Sequence, residues 1–360
     1  MPNQPPIQHG IGANFSQILQ QLIQVFLVGL TIGMTRTVVP GLAETEFGLA
    51  KQAFLSLSLF VVIFGLVKAF MNLLAGHLSD QYGRKRLLIT GWLFAIPVPL
   101  LIFYAQSWWW IIWAMMFLGI NQGLCWSMAL NSKLDLAHPH QKGLINGFNE
   151  FSGYAAVGIA GWVTAILAEQ YGPREAILSF GLMVIGLGFF LTIWKVIDTR
   201  PWAERHQQNH QATLINASPT ETASFKALMI FASLKHPQLV ALNQAGLVEK
   251  FIDALVWIFM PVYLLSQTQT LVQASAIIAI YGVVWGASQL LTGPLSDKWG
   301  RRGLIVGGFW LCAFASFGFV WGETLVTWSI LAAIMGFGMA MLYPTLGAAV
   351  ADFSEPRSRA

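Results

Sequence analysis

Glu249, Lys250 and Asp253 lie inside one long apolar stretch, and Glu249, Asp253 and Trp257 recur at i, i+4 and i+8. On a helix that spacing puts all three on one face, with Lys250 three residues from Asp253 and able to neutralise it. Asn146 and Glu150 share a face in the same way, in another apolar stretch that also holds Asn149. Arg36, which follows Thr31 and Thr35, and Lys68 are further ionisable residues in apolar surroundings. Each such residue costs about 2.5–3.5 kcal/mol to place in hydrocarbon, so each is expected to have a partner or a task. The chemistry open to Glu150 and Asp253 is proton carriage. A carboxyl group in a low dielectric keeps its proton, and an approaching Lys or Arg makes it let go. The competing reading is a fixed ion pair, Lys250 with Asp253 or Lys68 with Glu150.

Other chemistry finds little support. His138 and His140 beside Asp135 form the one cluster of enzymatic type, and they fall in a short polar connection. Cys125 and Cys312 lie in apolar stretches with no second ligand set, so they read as packing residues rather than a disulfide or a metal site. No Gly-rich phosphate loop ending in Gly-Lys-Ser/Thr is present. No catalytic residue, metal or cofactor is expected, apart from a proton as coupling ion.

The elements that must position these charges are membrane helices. Of 360 residues, 56% are hydrophobic and 10% charged, and the mean hydropathy is +0.61. Soluble domains carry about 25% charged residues. The apolar residues form blocks of roughly 20, enough to cross a ~30 Å hydrocarbon layer as helices with their amides paired internally. Ten spans are expected, near 18–40, 50–75, 87–106, 108–131, 143–168, 174–197, 238–265, 272–293, 303–322 and 325–350. The net charge of +4 comes with no basic stripe, which argues against nucleic acid. Basic residues collect on the even-numbered loops, among them Arg84, Lys85, Arg86, Lys133, Lys142, Arg301 and Arg302, while the odd loops hold only Lys51 and Arg174. By the positive-inside rule the N-terminus is cytoplasmic. The polar N-terminal stretch has no Lys or Arg and does not read as a signal peptide. A multi-pass plasma-membrane protein follows, on a bacterial inner membrane, with membrane lipid and a small-molecule solute as partners and a monomer as its working form.

An internal repeat organises the chain. Gly76, Leu78, Ser79, Asp80, Gly83, Arg84 and Lys85 recur as Gly293, Leu295, Ser296, Asp297, Gly300, Arg301 and Arg302, an offset of 217 that also maps Gly119 onto Gly336 and Asp135 onto Asp352. Residues 1–197 then form a six-helix half, 198–236 a cytoplasmic linker, and 237–360 a second half with four helices. By the same offset Ala360 matches Gly143. The expectation is a partial product of a twelve-helix protein, with roughly 55 residues and two helices still to come.

The duplicated Gly-x-Leu-Ser-Asp-x-x-Gly-Arg-Lys/Arg loop resembles the signature of the major facilitator superfamily. The resemblance implies an all-α membrane protein of two helical halves that moves a solute by alternating access, and that is not an enzyme. It also implies that the first, fourth, seventh and tenth spans line a central cavity. Arg36 and Asp253, related by the repeat, would face each other there or bind opposite charges of one substrate. Glu150 and Glu249 would join them, and Asn121, Gln122, Trp126 and Tyr343 would add hydrogen-bonding and stacking groups. For Asn121 and Gln122, interhelical hydrogen bonding is the plainer role. Within the latch loops, of which Arg301 is also a part, Gly76, Gly83, Gly293 and Gly300 are expected to make tight turns, Arg84, Lys85 and Arg86 to hold the loop at the headgroups, and Asp80 and Asp297 to latch the opposite half. The fourth span carries Met115 and Met116 before Phe117, where many proton-coupled members carry Arg. A non-transporting sensor or assembly factor on the same scaffold, and a facilitative uniporter, are the alternatives.

Overall fold

A computed structural model describes residues 8–48, 54–138, 141–205, 230–267 and 269–353. Their secondary structure is helical throughout. The first half holds α1 (Phe15–Thr45), α2 (Phe54–Tyr82), α3 (Arg84–Ala95), α4 (Pro97–Phe103), α5 (Trp108–Leu136), α6 (Lys142–Tyr171) and α7 (Pro173–Lys195). The second holds α8 (Pro237–Ala254), a π-helical turn (Leu255–Phe259), α9 (Met260–Ser266), α10 (Leu271–Trp299), α11 (Arg301–Trp321) and α12 (Leu325–Phe353). Nine stretches among the described residues are long and apolar enough to cross a membrane. The remaining expected span, the seventh, is the path through α8, the π turn and α9, which stays helical but carries Glu249, Lys250 and Asp253. Of the expected linker, residues 206–229 lie outside the described residues.

Prolines explain the interruptions. Pro97 separates α3 from α4, and Pro261 follows the π turn. Proline has no N–H to give and its ring crowds the carbonyl four residues back, here that of Trp257. A wider i→i+5 turn relieves that crowding, and such turns recur at functional sites. Here it carries Trp257.

Two apolar cores result. One is built from α1 to α7, around Trp92, Met115 and Ile177, and takes in Ile258 from the second half. The other is built from α8 to α12, around Trp257, Tyr281 and Trp328, and takes in Ile32 and Val157 from the first. The cores meet along α6 and α10, which run antiparallel at backbone contact. A Cβ on Gly158 would stand 2.9 Å from the Ala279 carbonyl oxygen, and one on Gly282 3.2 Å from that of Tyr154. Small residues allow this approach, as at other helix crossings in lipid.

Within the first half α1 and α6 are closer still. A Cβ on Gly33 would fall 2.2 Å from the Val157 carbonyl oxygen, and one on Gly29 2.3 Å from that of Gly153. Both obstacles are backbone and cannot rotate away. Gly33→Val should therefore destabilise the purified protein by about 1–3 kcal/mol. A thermal unfolding curve in detergent that matches the wild type would contradict the α1–α6 packing.

Candidate functional site

Between the cores lies a cavity of about 1360 Å³. It runs from Glu150, Tyr154, Glu249 and Lys250 to Gly76, Gly293, Ser296 and Arg301, where α2 and α10 end. That end also carries Arg84 and Lys85 at the start of α3. A second cavity of about 450 Å³ lies toward Arg36 and Trp257, and shares Lys68, Asn72, Trp126, Tyr154 and Lys250 with the first. At the far end the halves touch directly. The Val272 amide donates to Glu169 Oε1 at 3.2 Å, and Arg36 of α1 lies against Trp257 of the π turn.

The charges are arranged around indole rings. The Arg36 guanidinium sits 5.0 Å from the centroid of Trp257, and the Trp257 Nε1–H donates to Asp253 Oδ1 at 2.6 Å. The Lys68 ammonium sits 5.2 Å from the Trp126 ring, and the Trp126 Nε1–H donates to Glu150 Oε1 at 3.4 Å. In both cases a ring face holds the cation and the ring edge serves the carboxylate, as the aromatic quadrupole and the N–H dipole favour. Arg36 and Asp253 share the cavity without an ion pair, and so do Lys68 and Glu150. Of the two ion pairs offered as the competing reading, Lys68 with Glu150 does not form as a direct contact, and Lys250 with Asp253 does, at 3.9 Å.

Lys250 behaves differently. Its ammonium lies 3.3 Å from Glu249 Oε1 and 3.9 Å from Asp253 Oδ2, and stands over Tyr343 at 4.6 Å. Trp285 completes the aromatic floor, with Tyr154 stacked 3.8 Å from it. Glu249 and Asp253 are buried as the i, i+4 spacing predicts. Glu150 also accepts from Asn149 Nδ2 at 2.7 Å, and its Oε2 is buried without a hydrogen-bond partner among the described residues.

Asn121 and Gln122 are elsewhere. Both are 0% exposed and line neither cavity. Asn121 Nδ2 donates to the Gly91 carbonyl at 3.0 Å and Gln122 Nε2 to that of Val28 at 2.9 Å, which ties α5 to α3 and α1. Burial leaves such amides no water, so they pair with neighbouring helices.

The duplicated loops hold three corrections. Gly76 and Gly293 make no turn, since α2 and α10 continue through them to Tyr82 and Trp299. The turn comes at Gly83 and Gly300, with φ of +85° and +84°. At Gly83 a side chain is also excluded by Asp198, whose carboxylate accepts from the Arg84 and Lys85 amides and caps α3. Arg84 is buried rather than at headgroups. It pairs with Asp135 at 3.1 Å and donates to the Ser79 carbonyl. Arg301 repeats this with Asp352 at 3.0 Å. Lys133, also counted among the loop cations, is 0% exposed and donates to the Gln21 carbonyl. The side chains of Asp80 and Asp297 lie outside the described residues, and with them the expected latch contacts.

Sequence reasoning did not single out Tyr154 or Gln289, which line the large cavity, or Trp285, which backs Tyr154 and Lys250. Tyr154 stands four residues after Glu150, a signal that could have been used. Trp285 and Gln289 are four apart in a stretch with no charge to draw attention.

Helices in two packed bundles, with a charged cavity between them, define a membrane transporter fold. The chain belongs to the Major Facilitator Superfamily, whose family profile matches residues 22–360. It is similar to the class H tetracycline resistance protein of Pasteurella multocida, 24% identical over 295 residues, which covers 81% of this chain and 70% of that protein. Among solved structures it resembles a D-xylose–proton symporter, with a TM-score of 0.67 and 18% identity over 96% of this chain and 84% of the other. It also resembles a bacterial homologue of the human lysosomal transporter Spinster in an inward-facing, unoccupied conformation, with a TM-score of 0.69 and 14% identity over 95% and 76% of the two chains.

Removing Lys250 leaves Glu249 and Asp253 in low dielectric without their cation. Because Lys250 is 48% exposed, Lys250→Met should cost about 1–2 kcal/mol rather than the 3–5 of a fully buried pair. Glu249→Gln added to it should restore part of the loss. Melting curves of the single and double variants test this, and a double variant less stable than the single one contradicts the pairing.

Proposed function

We propose that this chain is a secondary active transporter that moves a small solute by alternating access, coupled to protons. The observation that carries the reading is a charged cavity between two cores, reaching the basic end of the bundle and stopping at the opposite end. Residues 1–197 and 237–360 are the moving halves and 198–236 the link between them. In the state described, the substrate path opens to the cytoplasmic side, the side of Arg84 and Arg301. The far side is held by the part of the α6–α10 contact that runs from Gly158 and Ala279 to the Val272–Glu169 hydrogen bond. Rocking of one half on the other would break those contacts and close the basic end. The duplicated loops serve as latches in that motion.

Coupling falls to Glu150 and Asp253. Each accepts an indole N–H and lies near a lysine that could move with its helix. A shift of Lys68 toward Glu150, or of Lys250 away from Asp253, would change how tightly the carboxyl holds its proton. The protein works as a monomer in lipid, with its N-terminus cytoplasmic and the plasma membrane of a bacterium as its site. It needs no cofactor besides the proton and performs no enzymatic reaction.

Two experiments test this. In vesicles with an imposed proton gradient, the protein should accumulate its solute; tetracycline, D-xylose and small organic anions form the first panel. Asp253→Asn and Glu150→Gln should each abolish gradient-driven accumulation and leave counterflow exchange. Undiminished accumulation in both removes these carboxylates from coupling, and binding without flux in the wild type favours a sensor. Separately, Gly158→Leu should hold α6 and α10 apart at the far end, since even a Cβ there meets the Ala279 carbonyl oxygen at 2.9 Å. An engineered cysteine at Ile32, on the smaller cavity, should then label faster with an impermeant maleimide from that side. Equal labelling rates in the two backgrounds contradict the sealing role.

A further inference from the structure

We infer that the smaller cavity takes an amphipathic organic anion, an apolar or aromatic body with one acidic group, held between Arg36 and Lys68. This names the solute class for the transport reading above and rests on it. The volume of about 450 Å³ falls within the roughly 300–1,000 Å³ of small-molecule sites. Phe60, Phe64, Met115 and Leu118 supply the apolar wall.

The charge balance points to an anion. Three cations, Arg36, Lys68 and Lys250, face this cavity against one carboxylate, Asp253. Asp253 is already engaged by the Trp257 N–H and by Lys250, and Lys250 also serves Glu249. Glu150 acts on Lys68 from a distance, across the Trp126 ring. Arg36 and Lys68 make no ion pair among the described residues and rest on aromatic faces. Their like charges also act on each other. A cation held by a ring face in apolar surroundings is less well compensated than one with a counter-ion. An acidic group between the two supplies that counter-ion while its apolar body fills the pocket.

The same contacts disfavour a cationic ligand. Of the rings that line this cavity, those of Trp257, Trp126 and Phe64 already carry a protein cation. A cationic ligand would have to displace Arg36 or Lys68 to reach them.

The test is a charge series of one shape. Naphthoate, its neutral amide and the matching naphthylmethylammonium are titrated calorimetrically into the full chain in detergent. Naphthoate should bind at least about tenfold more tightly than the amide, and the ammonium more weakly than either. Arg36→Gln and Lys68→Gln should each weaken naphthoate by about tenfold and leave the amide within about twofold, which also reports that the variant is folded. Should either variant fail to fold, the wild-type series decides alone. An amide equal to the acid, an ammonium that binds best, or no binding by any of the three overturns the inference. The titration needs no flux. Acid-selective binding by a protein that moves nothing would sink the transport reading and spare the ligand class, and proton-driven flux without acid selectivity would do the reverse.

Discussion

Charge in a low dielectric is the constraint around which this protein is arranged. Arg36, Lys68, Lys250, Glu150, Glu249 and Asp253 all face the space between two apolar cores. Direct pairing of every cation with a carboxylate would be the simplest way to lower their cost. Two indoles are shared instead. Arg36 rests on the Trp257 ring whose N–H serves Asp253, and Lys68 on the Trp126 ring whose N–H serves Glu150. Each indole offers its face to the cation and its N–H to the acid. The charges are thereby partly compensated while they stay buried. Among the described residues of this cluster, Lys250 is the cation that pairs with carboxylates, Glu249 and Asp253.

The surrounding structure keeps that arrangement in place. Gly29 and Gly33 bring α1 against α6, and Gly158 and Gly282 bring α6 against α10. Arg36, Glu150 and the second half are thus carried on helices in backbone contact. The π turn ahead of Pro261 brings Trp257 onto the face that meets α1. At the basic end the two loops are pinned by the same device, Arg84 with Asp135 and Arg301 with Asp352. These pairs are related by the 217-residue repeat, so duplication has preserved a tertiary contact as well as a motif.

Symmetry stops at the cavity. Arg36 and Asp253 occupy equivalent positions with opposite charge. The duplicated frame thus holds sequence that has diverged at the charged positions of the cavity.

The sequence by itself determined the class of fold, because hydropathy and charge are sums over local residues. The succession of apolar spans and the repeat need no knowledge of which helix touches which. The shared face of Glu249, Asp253 and Trp257 was equally legible, since helical spacing is local. What tertiary structure alone decided was partnership. Asn121 and Gln122 carry the same chemical signal as cavity residues, yet close contact with α1 and α3 turns them into packing bonds. Arg84 and Lys133 look like headgroup anchors by position, yet each bends inward to an oxygen from another part of the chain. Tyr154 becomes a cavity wall, backed by Trp285, only once α6 and α10 lie side by side. A side chain's partner depends on the path its helix takes through space, and no local pattern in the sequence encodes that path.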